Sequence, residues 1–175
     1  TVTNASGCST TSAAEAVTVN PLPTVAAITG SPDVCVGSTT TLASSTTGGV
    51  WSTSDATVAD VSASGVVTGV STGSATITYT VTDGSGCINS TSASVTVNAA
   101  PTATVTASGA TTFCAGGSVD LTANAGTSYL WSNGAQTQTI TVTTSGSYSV
   151  TVTNASGCST TSAAEAVTVN PLPTV

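Results

Sequence analysis

Ser147-Tyr148-Ser149-Val150-Thr151-Val152-Thr153 alternates hydroxyl residues with Tyr148, Val150 and Val152. That period of two is the pattern of a β-strand with one face in a core and the other in water. The same spacing recurs on either side of it, at Val119/Leu121, Ile140/Val142 and Val167/Val169. Glycine- and asparagine-containing turns separate these runs, so strands are expected near 102–107, 111–113, 118–123, 128–131, 136–142, 147–153 and 162–169.

An earlier stretch presents the same landmarks in the same order. Cys35-Val36-Gly37-Ser38 precedes Leu42 as Cys114-Ala115-Gly116-Gly117 precedes Leu121. Trp51 and Trp131 follow, then Ser85-Gly86-Cys87 and Ser156-Gly157-Cys158, then a closing strand. Here Ala75/Ile77/Tyr79/Val81 and Val95/Val97 supply the period-two apolar positions. Asn98-Ala99-Ala100-Pro101 and Asn170-Pro171-Leu172-Pro173 each terminate a Val-Thr-Val ending, which divides the chain into a tail (1–25) and units of 26–100 and 101–175. Many short strands, frequent Gly turns, one Trp and two Cys per unit predict an all-β protein of tandem immunoglobulin-like β-sandwiches in an extended array. Trp51, Trp131, Tyr79 and Tyr148 are the expected core aromatics, and Ser145-Gly146-Ser147-Tyr148 has the form of a tyrosine corner.

WSTSDATVADVSASGVVTGVSTGSATITYTV, Trp51 to Val81, resembles the bacterial immunoglobulin-like group 2 domain with its W-S-S, V-A-x-V, G-x-V-T-G and G-x-A-x-I succession, Trp51-Ser52-Thr53 standing at the first of these. FCAGGSVDLTANAGTSYLWSNGAQTQTITVTTSGSYSVTVTNASGC, Phe113 to Cys158, is similar to the immunoglobulin/PKD-like repeats of giant bacterial surface adhesins. These resemblances imply a sandwich fold and a role as spacer or stalk.

TVTNASGCSTTSAAEAVTVNPLPTV, residues 1–25, recurs letter for letter as 151–175. Packing tolerates conservative exchanges, so identity this complete indicates tandem duplication with a period of 150 residues. The copy begins inside the alternating run 147–153, from which the chain is expected to be a window on a longer repetitive polymer. Residues 1–25 would then be the last strands of a preceding unit.

Composition removes several functions. The chain has no Lys, Arg or His, and its seven charged residues are Glu15, Asp33, Asp55, Asp60, Asp83, Asp120 and Glu165. Without cations it cannot neutralise a phosphate backbone, so no nucleic-acid partner is expected, nor attraction to anionic lipid. No side-chain ion pair can form. Stability must come from apolar burial, backbone ladders, hydroxyl hydrogen bonds and disulfides, and the melting temperature should be nearly constant between low and high salt. A strong salt dependence in a thermal scan would contradict this.

Cys8 is the copy of Cys158, leaving four cysteines per period: Cys35, Cys87, Cys114 and Cys158. With no His and no C-x-x-C spacing, disulfides in an oxidising compartment are expected over zinc. One pairing joins cysteines within a unit, Cys35–Cys87 and Cys114–Cys158. In the usual topology, however, these lie at opposite ends of the sandwich. A seven-residue strand spans about 23 Å, whereas a disulfide needs Cα atoms within about 7 Å. The other pairing runs head to tail across junctions, joining Cys35 to Cys158 and Cys114 to the Cys87 of a following repeat.

Catalysis has little material: no His or Lys base exists for a Ser nucleophile, and Asp55 and Asp60 read as solvated turn carboxylates bracketing a strand. Asp33 and Asp83 are calcium candidates, but no D-x-D cluster accompanies them. No enzyme activity, cofactor or metal site is expected. Thr137, Thr139, Thr141 and Thr143 read as an uncharged outer strand face. The sequons at Asn4, Asn89 and Asn154 lie at or beside hairpins. The expected function is a structural repeat segment of an extracellular bacterial fibre, stalk or filament, mechanically stable through sandwiches, short proline-containing junctions and disulfides. Its expected partners are further copies of the same repeat. The alternative is an adhesin module whose loops recognise a glycan or another surface ligand.

Overall fold

In the computed structural model, which describes residues 1–174, every regular element is a β-strand. Val175, at the end of the expected second unit, lies outside them. The tail carries only the two-residue strands β1 (Val2–Thr3) and β2 (Ser9–Thr10). Seven strands follow: β3 (Asp33–Cys35), β4 (Thr39–Thr41), β5 (Val50–Thr53), β6 (Ala59–Val61), β7 (Val66–Gly69), β8 (Gly73–Thr82) and β9 (Ile88–Asn98). The remainder holds β10 (Val105–Ala107), β11 (Thr112–Cys114), β12 (Val119–Ala123), β13 (Ser128–Trp131), β14 (Thr139–Val142), β15 (Gly146–Tyr148), β16 (Val150–Thr153), β17 (Ser159–Thr161) and β18 (Glu165–Asn170).

Two hydrophobic cores result, and they share no residue. In the first, the sheet β3-β9-β8-β5 packs on β4-β7-β6 through Val34, Leu42, Ala59, Val67, Ala75, Ile77, Val95 and Val97. In the second, the sheet β10-β12-β14 lies over the strands β11, β18, β15, β13, β16 and β17, with Val119, Leu121, Trp131, Ile140, Val142, Tyr148, Val150, Val152 and Val167 between them. Each is an immunoglobulin-like β-sandwich. Alternation places these residues inside and the Ser and Thr outside, where the hydroxyls bond across strands. Thr122 meets Thr139 at 3.0 Å, and Thr141 donates to Asp120 at 2.7 Å.

The alternating run 147–153 is two strands rather than one. Tyr148 pairs with Glu165, but Thr151 pairs with Thr161, so two residues on one side face three, Ser162–Ala164, on the other. This β-bulge breaks the ladder at Ser149. Ser162 repairs it: its hydroxyl accepts from Val150 N at 3.1 Å while its amide donates to Val150 O at 2.9 Å. The equivalent β8–β9 hairpin has no bulge and keeps one register over ten consecutive pairs. Periodicity alone does not report a bulge, because Tyr148, Val150 and Val152 stay on the core face across it.

Tyr148 closes a corner on its own strand entry, donating to Thr144 O at 3.1 Å with the Thr144 hydroxyl at 3.0 Å. Replacing it with Phe keeps the packing and removes the bond. Tyr148→Phe should lower stability by about 1 kcal/mol in urea denaturation, and no loss would remove the corner from the account.

The repeated 25 residues appear in two settings, which separates local from tertiary causes. The turn is local: Asn4 and Asn154 each accept from the amides four residues on, Cys8 and Cys158, at 3.0 Å. Gly7 and Gly157 both take the left-handed conformation (φ 82° and 78°) that such a turn needs and that a side chain would resist. The closing strand is not local. Residues 165–170 form β18 between β15 and β11, whereas 15–20 form no strand and are exposed. Without neighbouring strands, Val17 and Val19 have no core to enter and the backbone has only water to satisfy it.

Candidate functional site: a clamped junction

Cys35 ends β3, which runs parallel to β9 in a register that sets Cys35 opposite Asn98. Asn98 is the last residue of the first sandwich's closing strand. Cys158 sits in the turn between β16 and β17, its amide held by the Asn154 side chain. The two cysteines are joined in a disulfide across 123 residues of sequence, with Cα atoms 5.7 Å apart. The bridge therefore ties one sandwich to the next, and neither within-unit pair, Cys35–Cys87 or Cys114–Cys158, forms. The Sγ of Cys158 also lies 3.9 Å from Asn98 O, and Asn154 Nδ2 donates to Ala99 O at 2.8 Å. The short linker Asn98-Ala99-Ala100-Pro101 is thus gripped by the sandwich that follows it. Cys158 is 1% exposed, so solvent reductant has poor access to this sulfur.

The junction between the tail and the first sandwich has part of the same arrangement, without a disulfide. Asp83 takes the place of Asn154, its carboxylate accepting from Ser85 N and Cys87 N at 2.9 Å. Asn89 Nδ2 donates to Pro23 O at 2.8 Å, and Cys87 Sγ lies 4.0 Å from Asn20 O. Cys8 and Cys114 are exposed thiols and Cys87 a half-buried one. The roles of Asn89 and Asn154 in gripping the linkers were not legible in the sequence, where both stood out only as sequon asparagines.

Trp131 is buried, with its indole N–H donating to Thr137 O at 2.8 Å. Trp51 is different. It is half-exposed and stacks against Tyr79 (centroids 4.6 Å apart, planes at 46°). Tyr79 is buried, donates to Thr46 O at 2.9 Å and accepts from Gly49 N at 2.8 Å. Trp51 and Tyr79, with Thr41, Leu42, Ala43, Ser44 and Ser64, line a shallow groove of about 200 Å³. Gly65, at φ +82°, keeps this corner open: a Cβ there would collide with the Leu42 backbone oxygen and crowd Trp51 Cε2 at 3.1 Å.

The carboxylates serve local structure. Asp55 accepts from the Thr57 hydroxyl at 2.6 Å and its amide at 2.9 Å, which holds its pKa below the ordinary value. Asp60 lies within β6 rather than at its edge, exposed. Asp33 accepts from Asn98 Nδ2 at 3.4 Å. Among the described residues no three His, Cys, Asp or Glu side chains converge as metal ligands would.

Residues 13–92 match the family of bacterial Ig-like domains (group 2). The match includes Trp51–Val81, the stretch whose motifs carry the resemblance, and overlaps most of the first sandwich. No curated protein sequence matches the chain. Among solved structures, murine CEACAM1b is 14% identical with a TM-score of 0.39, covering 83% of this chain and 100% of that one. Domains 4 and 5 of the S-layer protein SbsC are 19% identical with a TM-score of 0.35, covering 78% and 83%. The Yersinia pseudotuberculosis adhesin InvE is 16% identical with a TM-score of 0.24, covering 82% of this chain and 58% of its own.

Proposed function

We propose that this chain is a structural segment of an extracellular bacterial fibre or stalk, built to carry tension and resist bending. The observation behind this reading is the Cys35–Cys158 disulfide, which bridges two sandwiches rather than stabilising either one. A bridge inside a sandwich protects a bead; a bridge between sandwiches fixes an angle. A short linker ending in Pro101, held by Asn154, already limits the hinge, and the covalent clamp removes most of what remains. Such a bond requires an oxidising compartment, consistent with an extracellular location.

Solution scattering tests the stiffening. The oxidised chain should fit one arrangement of its two sandwiches. Cys35→Ser/Cys158→Ser should require a spread of angles with both sandwiches still folded. Identical profiles for the two would sink the proposal.

The Trp51 groove favours a second reading, an adhesin module. An aromatic face beside Ser and Thr hydroxyls suits a sugar ring. Glycan binding by the chain on an array, abolished in Trp51→Ala, would establish it; no binding would leave Trp51 as packing against Tyr79.

A further inference from the structure

Asn20 and Asn170 are the same position of the 150-residue period, and the structure shows a different half of one junction at each. At Asn170, β11 runs parallel to β18 with Cys114 opposite this asparagine, and Ala115 N donates to Asn170 O at 2.8 Å. At Asn20, the Cys87 sulfur lies 4.0 Å from the carbonyl oxygen. The closed junction at Asn98 displays both halves together. Cys35 lies opposite Asn98, Val36 N donates to Asn98 O at 3.0 Å, and Cys158 Sγ is 3.9 Å from the same oxygen. Cys114 is therefore placed as Cys35 is, and Cys87 as Cys158 is.

We propose that Cys114 of one repeat and Cys87 of the following repeat form a second disulfide, so that every junction of a tandem array is clamped. The proposal deepens the tension-bearing reading and rests on it. Two S–H bonds break and one S–S bond forms. The two electrons pass to a disulfide oxidant, which is reduced to two thiols by exchange, and the two protons go to it or to water.

The consequence is topological. The Cys35–Cys158 loop leaves one stretch of each period outside it, from Cys8 to Cys35. A Cys114-to-Cys87 loop would cover that stretch and overlap the first loop at both ends. Every peptide bond between the first and last clamps then lies inside at least one covalent ring, and no single cut severs the fibre.

The sequence supplies the test. Its only glutamates, Glu15 and Glu165, are one position of the period, and that position falls in the stretch the first loop leaves open. A chain of two repeats, residues 1–150 followed by 1–175, is refolded in a glutathione redox buffer. Remaining thiols are alkylated, and the chain is digested in urea with a glutamate-specific protease. Cut at the Glu165 position, it should migrate undivided without reductant and fall to half-mass pieces with it. Cys114→Ser should give half-mass pieces without reductant. Half-mass pieces from the parent chain without reductant, or a mapped peptide pairing Cys114 with Cys158, would overturn the second clamp. If Cys35–Cys158 still maps intact in that digest, the fibre reading survives the loss.

Discussion

Trp131→Ala is expected to unfold the second sandwich over a range of urea in which the first stays folded. Trp131 is 2% exposed and among the largest fully buried side chains, packed within the cluster of Leu121, Ile140, Val150 and Val152. Its removal leaves a cavity that sheet backbones cannot collapse to fill, at a cost of about 3–5 kcal/mol. The loss of its N–H also leaves Thr137 O without this donor. A domain of this size has about 5–15 kcal/mol in all, and small ones sit at the low end. Trp51 then remains as the single indole and reports on the first sandwich by fluorescence, while loss of the second is followed by far-ultraviolet circular dichroism. Trp131→Phe keeps most of the volume and should fall between. A Trp131→Ala chain with the parent's unfolding midpoint would mean that this core does not depend on its largest side chain.

The second large effect belongs to the clamp. Cys35→Ser/Cys158→Ser removes a ring of 123 residues that constrains the unfolded chain. The expected loss is about 2–5 kcal/mol, shared between the sandwiches because the ring passes through both. Oxidised, the two should unfold in overlapping transitions. In the double variant each should follow its own core, at lower urea. Because no ion pair contributes, this difference should be the same at low and high salt. Two well-separated transitions in the oxidised parent, unchanged in the variant, would show that the bridge transmits nothing between the cores.

How much of this was legible in the sequence depends on range. Period-two runs identified both sheets' inner faces, because burial follows alternation directly: Ile77, Val95, Leu121, Val150 and Val152 all lie at 0% exposure. Turns were legible because Asn154 and Gly157 specify theirs without help, as Asn4 and Gly7 demonstrate away from any sandwich. The bulge at Ser162 was not, since it is a count across two strands and alters no residue's face. Trp51 and Trp131 occupy matching places in their units, yet one is half-exposed and the other buried. A sequence shows that a tryptophan lies in a strand, not how much of the opposite sheet covers it. The junction was legible in part. Strand length argued that Cys35 and Cys158 lie at facing ends of neighbouring units, but the asparagine contacts to Ala99 O and Pro23 O depend on the angle between sandwiches, which no local pattern encodes.

Tension acts on the clamp itself. Held by its ends, the oxidised chain carries load from residue 1 to Cys35, across the sulfurs, and from Cys158 onward. The 123-residue ring between them is shielded. Single-molecule pulling should therefore extend only the two flanking segments, and adding reductant under load should release about 400 Å more, at roughly 3.5 Å per residue for that ring. Full extension of the oxidised chain without reductant would contradict a load-bearing clamp between the two sandwiches.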